Sequence, residues 1–126
     1  MRNISDSLLN FAAKIIELGK KLNKTHEGRH VYGQLFRAGT STGANYEESQ
    51  GSPTKPDTKT KIGISLKEMR ESSYFLKIFN RLKLGDVQKN EYLVNESLEL
   101  KRILASILNK LTVLFSFLLG FGAWAL

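Results

Sequence analysis

No cysteine occurs among the 126 residues, which excludes disulfides, thiolate nucleophiles, cysteine-ligated zinc and iron–sulfur clusters. A reducing, cytoplasmic setting is the simplest expectation. Proline is nearly absent as well: Pro53 and Pro56 are the only two, three positions apart. The long stretches on either side of them favour helix over strand. No Walker loop or Gly-x-Gly-x-x-Gly dinucleotide fingerprint occurs; Gly39 to Gly43 spells Gly-x-Ser-x-Gly but inside a helical stretch, not at the strand-to-helix turn of a nucleophile elbow, and Glu27-x-x-His30 occurs once where di-iron bundles carry the pattern on two helices, so no residue set supports an enzyme, a cofactor or a metal. The amino-terminal segment has no continuous apolar stretch of the secretory type, because Lys14, Glu17, Lys20 and Lys21 interrupt it; export is not expected. The longest uncharged run is Leu111 to Leu126, 16 residues, short of the ~20 that cross a bilayer as a helix. Either Leu111 to Leu118 completes a helix and residues 119–126 form an apolar tail, or the run anchors the protein to a membrane. The first reading is preferred, and Trp124 fits both.

What is present is an ordinary globular balance, 41% hydrophobic and 25% charged residues, with 19 basic side chains against 12 acidic ones and a formal charge of +7. A chain of this length builds one core, placed here in residues 1–118. The excess of positive charge favours polyanionic partners without deciding the fold.

Apolar periodicity predicts four helices. Leu8, Phe11, Ile15, Leu18 and Leu22 alternate steps of three and four, with Ser5 or Asp6 as the expected cap. A polar stretch, NKTHEGRH, then precedes a thin stripe of Val31, Leu35, Gly39, Thr42 and Tyr46. Its centre, AGTSTGA, has poor helix propensity and calls for close packing against a neighbour. GSPTKPD reads as a linker, followed by Asp57 or Thr58 as a cap. In the third helix Ile62, Leu66, Met69, Ser73, Leu76 and Asn80 form one stripe, while Ile64, Phe75, Ile78 and Leu82 fall on nearly the opposite side. A monomer normally needs one stripe per surface helix, so the second predicts oligomerisation. After LGDVQKN, a fourth stripe runs through Leu93, Ser97, Leu100, Leu104, Ile107 and Leu111. Short connections make this an all-α, up-down-up-down antiparallel four-helix bundle.

Two residue sets stand out. On the third helix Lys59, Arg70, Lys77 and Arg81 project within about 40° of one another, with Lys67 adjoining. Such a basic stripe either tracks a phosphate backbone or is a solvated face. On the second helix Arg37, Ser41, Ala44 and Glu48 share the side away from the apolar stripe, with Asn45 beside them. They either line a binding surface or form a polar network with Glu68 and Glu71 that organises assembly; the network is preferred, because Arg and Glu are rarely buried alone. His26 and His30, four apart in a polar loop, make a weak metal site.

The segment YGQLFRAGTSTGANYEESQG, Tyr32 to Gly51, resembles the signature of the four-helix bundle proteins encoded by 23S rRNA intervening sequences. Arg37, Ala38, Ser41, Asn45 and Glu48 match its pattern, whereas Ser49, Gln50 and Gly51 replace the usual Glu-Gly ending. KIGISLKEMRESSYFLKIFNRLKLGD, Lys61 to Asp86, is similar to the family's third helix, including Glu68 and Glu71. The resemblance covers about residues 5 to 112. That family is similar in fold to the accessory proteins of diversity-generating retroelements, which form homopentamers and bind nucleic acid and a reverse transcriptase. The resemblance therefore implies a homopentamer, an RNA or RNA–protein partner, and a reverse transcriptase as one such partner. The alternative is a protein-interaction scaffold whose basic surface docks an acidic protein.

Overall fold

Four helices, α1 (Ile4–Leu22), α2 (His26–Gln50), α3 (Lys55–Leu82) and α4 (Val87–Leu118), make up a computed structural model that describes residues 2–120. No strand occurs among the described residues. Each helix begins on a side chain that accepts an otherwise unpaired backbone N–H. For α1 it is Asn3, which accepts from the Asp6 amide at 3.1 Å, so Asn3 and not Ser5 or Asp6 is the cap. Thr25 caps α2 through Gly28, so the polar NKTHEGRH stretch ends inside a helix that starts earlier than its apolar stripe. Thr54, not Asp57 or Thr58, caps α3. Pro56 therefore lies in the first turn of α3, where its missing N–H costs nothing. Asp86 caps α4 through Lys89.

The linker between α3 and α4 is only 83–86. Lys83 takes the left-handed conformation at φ 53°, and the Leu84 amide reaches back to the Phe79 carbonyl at 3.1 Å, closing the last turn of α3. Gly85 follows at φ 72°; a side chain there would also press on Leu22, so glycine serves both the turn and the seal at this end of the bundle.

Cross-helix pairs give the topology. Between α2 and α3, Glu48 meets Lys61, Thr42 meets Ser65 and Arg37 meets Glu71, so the two chains run in opposite order. Ser5 with Glu47 and Tyr32 with the Ile15 carbonyl set α1 against α2 in the same way. Lys59, near the start of α3, lies beside Phe115, near the end of α4, which sets these two helices in opposite order, and Asn90 of α4 donates to the Leu84 carbonyl of the connection between them. α1 closes the bundle on α4 through Lys14 with Tyr92 and Arg2 with Glu96, and the diagonal pairs do not meet. The chain is thus an antiparallel four-helix bundle in which each helix touches its two neighbours.

The core consists of the predicted stripes: Leu8, Phe11, Ile15, Leu18 and Leu22 of α1, Leu35 of α2, Leu66, Met69, Leu76 and Phe79 of α3, and Leu93, Leu100 and Leu104 of α4. Each such side chain stabilises the fold by about 1.5–3 kcal/mol when removed from water. Tyr32 and Tyr46 pack on this core, and burial pushes both phenols above the ordinary tyrosine range. The second apolar side of α3 is largely used within the chain. Phe75 packs against the core, Ile64 and Ile78 are half-buried, and of the four only Leu82 stands exposed, because α2 and α4 pack closely along both flanks of α3.

The small residues at the centre of α2 admit close neighbours on both flanks. Towards α3, Thr42 donates to the Ser65 carbonyl at 2.8 Å and Ser65 to the Thr42 carbonyl at 2.7 Å, a reciprocal pair in a fully buried seam. Towards α1, Gly39 lies against Ile15 and Gly43 against Leu8. Replacing Gly39 by alanine sets two effects in opposition. Helix propensity improves by about 1 kcal/mol, but the new methyl meets the buried Ile15 side chain, and overpacking a core costs about 1–3 kcal/mol. Gly39→Ala is therefore expected to destabilise by about 1 kcal/mol, whereas Gly33→Ala, with open space around the site, is expected to stabilise by up to about 1 kcal/mol. Urea denaturation of the two variants checks the opposite signs; the same sign for both would refute this account of α2.

α4 has 32 residues against 19 in α1, a difference of about 20 Å at 1.5 Å per residue. Its last turns therefore run past α1, leaving Val113, Leu114, Phe117 and Leu118 exposed, with Leu119 just beyond. Residues 121–126 of the apolar tail lie outside the described residues, and no described helix is long and apolar enough to cross a membrane.

Candidate nucleic-acid interface

The outward face of α3 is built from residues that the core stripe leaves over. With Leu66, Met69, Ser73 and Leu76 turned inward, 100° per residue places Lys67, Arg70, Lys77 and Arg81 on the flank between that stripe and the second apolar side, and all four are exposed. Lys59 lies on the same side one turn into the helix but is half-buried, its ammonium 5.8 Å from the Phe115 ring of α4. None of the five takes part in an ion pair among the described residues. Along the fourteen-residue step from Lys67 to Arg81 the stripe extends roughly 21 Å. Tyr74 falls in the middle of this face and is 62% exposed. Charge spacing does not mark it, although its place four residues after Arg70 and three before Lys77 is visible in the sequence.

The second residue set gathers along the outer edge of the α2–α3 seam. Arg37 lies 3.6 Å from Glu68 and donates to Glu71 at 3.1 Å. Glu48 does not join Arg37; it pairs instead with Lys61 at 2.7 Å. Asn45 donates to the carbonyl and hydroxyl of Ser41, at 2.9 and 3.0 Å, within its own helix. Glu68 is nearly fully buried, and its Oε2 accepts no hydrogen bond; the exposed guanidinium of Arg37 is its charge partner. The electrostatic consequence reaches the basic face. Arg37 engages both Glu68 and Glu71, so these two carboxylates of α3 have their charge partner on α2 and not among Lys67, Arg70, Lys77 and Arg81.

Other acids are engaged elsewhere. Glu96 pairs with Arg2 and Glu99 with Arg102, which holds the Glu99 carboxyl below the usual carboxylate range, while Asp57 and Asp86 sit at helix starts. His26 and His30 are exposed in the first turns of α2, and the described residues contain no group of three or more His, Asp or Glu that could hold a metal ion.

The comparisons with known proteins agree with this architecture. A protein of unknown function from the S23 ribosomal protein family of Bacteroides thetaiotaomicron VPI-5482, whose crystal structure is known at 1.70 Å resolution, is 32% identical. The match covers 84% of this chain and 98% of that one, with a TM-score of 0.77. No relative is found among the curated proteins. The sequence pattern of the 23S rRNA-intervening sequence protein matches residues 3–106, all but the last part of α4 and the tail, and the chain therefore belongs to that family.

Proposed function

We propose that this protein is a non-enzymatic, cytoplasmic, homo-oligomeric bundle, pentameric in its preferred assembly, that binds RNA or an RNA–protein complex through the outward face of α3. The observation that carries this reading is the row of exposed cations on that face that form no ion pair among the described residues, while the neighbouring Glu68 and Glu71 pair with Arg37. Arg37, Ser41, Asn45, Glu48, Glu68 and Glu71 then act as organisers, fixing α2 against α3 and keeping the stripe cationic. The name of the family gives the RNA context. A reverse transcriptase as protein partner follows from the resemblance to retroelement accessory proteins.

Exposed apolar side chains support self-association. Leu9 and Ile16 on α1 and Phe36 on α2 stand outside the core, as does the end of α4. Patches of this kind mark interaction surfaces. They also favour the second reading, a scaffold that meets proteins alone. Light-scattering mass with and without nuclease separates the two. A mass of about five chains, carrying nuclease-sensitive absorbance at 260 nm, is the expected result; a monomer free of nucleic acid would refute the proposal. Affinity for single-stranded RNA should also fall with salt at a log–log slope of about −3.5 if all five cations meet phosphate, at about −0.7 each. A flat salt response with intact protein partners would favour the scaffold.

A further inference from the structure

We infer that Tyr74 is a base-stacking platform, and that the α3 face consequently takes RNA with unpaired bases in preference to duplex RNA. The inference rests on the nucleic-acid reading above and adds to it the class of RNA.

A single exposed apolar side chain is ordinary on any protein. Tyr74 differs in its frame. Lys67 and Arg70 lie seven and four residues before it, Lys77 and Arg81 three and seven after it, so cations of the same outward face stand along the helix on both sides of the ring. The acid nearest in sequence, Glu71, is held towards α2 by Arg37 at 3.1 Å. The ring itself is steadied from below. It meets Phe75 edge to face, with centroids 5.5 Å apart and planes at 70°, and Phe75 is anchored on the core. A ring held this way loses little freedom when a base stacks on it.

Cations that fix phosphates beside an aromatic face that accepts any base are the combination by which proteins hold single strands without reading their sequence. Duplex RNA cannot use this site fully. Its bases are stacked on one another, and its deep, narrow major groove does not admit side chains. A duplex would touch the cations alone, whereas an unpaired strand engages the cations and the ring together.

The test is the affinity of the full chain for a labelled, unstructured oligouridine and for a blunt RNA duplex of equal length, by fluorescence anisotropy. It compares the wild type with Tyr74→Ala, Tyr74→Leu, Tyr74→Phe and the double variant Arg70→Glu/Lys77→Glu. Loss of one base stack is expected to weaken single-strand binding by about tenfold or more in Tyr74→Ala. Tyr74→Leu, which keeps apolar bulk without a π face, should lose a similar factor. Tyr74→Phe should stay within about twofold. Duplex affinity and the salt slope should be unchanged in all three. Thermal melting by circular dichroism confirms that each variant folds, as expected at an exposed position. If the charge-reversal variant loses single-strand binding while Tyr74→Ala and Tyr74→Leu keep it, the stacking inference fails and the nucleic-acid reading stands. If the wild type binds neither RNA, both fail.

Discussion

The double variant Arg70→Glu/Lys77→Glu is expected to bind RNA at least about 100-fold more weakly than the wild type at moderate salt. Both side chains are exposed on the outward face of α3 and form no ion pair among the described residues, so in the free protein they are free to meet phosphate. A hydrogen bond to a charged group contributes about 1.5–3 kcal/mol. Losing two costs at least about 3 kcal/mol, which is roughly 100-fold in affinity. Reversal, unlike removal, also repels the strand from the remaining cations' neighbourhood. The log–log salt slope should become shallower by about 1.4 for a single strand, the share of two phosphates. The fold should survive, because the new carboxylates lie four residues from Arg81 and three from Lys67 on one helix face, where opposite charges attract mildly. Anisotropy titrations at several salt concentrations check the prediction. Unchanged affinity with an unchanged slope would remove α3 from the binding surface.

Arg37→Ala is the second substitution with a large expected effect, and it acts on stability and binding together. Removing the partner of a buried charge costs about 3–5 kcal/mol when both groups are buried. Here the carboxylate of Glu68 is buried but Arg37 is 57% exposed, so screening by water reduces the cost to about 2 kcal/mol. For a bundle of this size that is a fall in melting temperature of roughly 5–10 °C. Glu68→Gln in the same chain removes the orphaned charge and should recover part of the loss, which a simple packing defect at Arg37 would not allow. Freed from Arg37, the half-exposed Glu71 also brings negative charge nearer the stripe, and RNA affinity should drop by a few-fold, about 1 kcal/mol. Thermal melts of Arg37→Ala, Glu68→Gln and the double variant form the decisive cycle. Additive effects, with no recovery in the double variant, would show that the Arg37–Glu68 pair does not hold the seam.

The core was legible because it obeys one period. Leu8 to Leu22, Leu66 to Phe79 and Leu93 to Leu104 recur at three and four, and a helix turns every 3.6 residues, so the buried stripe could be marked before any tertiary contact was known. The basic face was legible for the same reason, as the complement of a stripe. Caps were read less well. Hydrophobic spacing points to residues nearer the apolar run than Thr54 and Asn3, because the first helical turn lies partly outside the core and its start does not show in that spacing. Pro56, which the spacing assigns to the linker GSPTKPD, stands in the first turn of α3, because proline suits a linker and a helix start alike and only the position of the cap separates the two.

By itself the sequence determined the number of helices, their inward faces and the line of cations on α3, since each follows from residue type and helical period along one element. Which groups meet across elements was decided by the tertiary structure. Nothing in the spacing of Arg37 could say that it reaches Glu68 and Glu71 while Glu48 turns to Lys61, nor that Thr42 and Ser65 exchange hydrogen bonds through a buried seam. Those pairings depend on the relative height and rotation of α2 and α3, which the short connection 51–54 and the small Thr42 and Ser65 side chains of the seam set jointly. The apolar side of α3 makes the same point. Its residues were visible in one dimension, but that most of them are covered within the chain follows from α3 standing between α2 and α4, a fact of packing that no single helix carries.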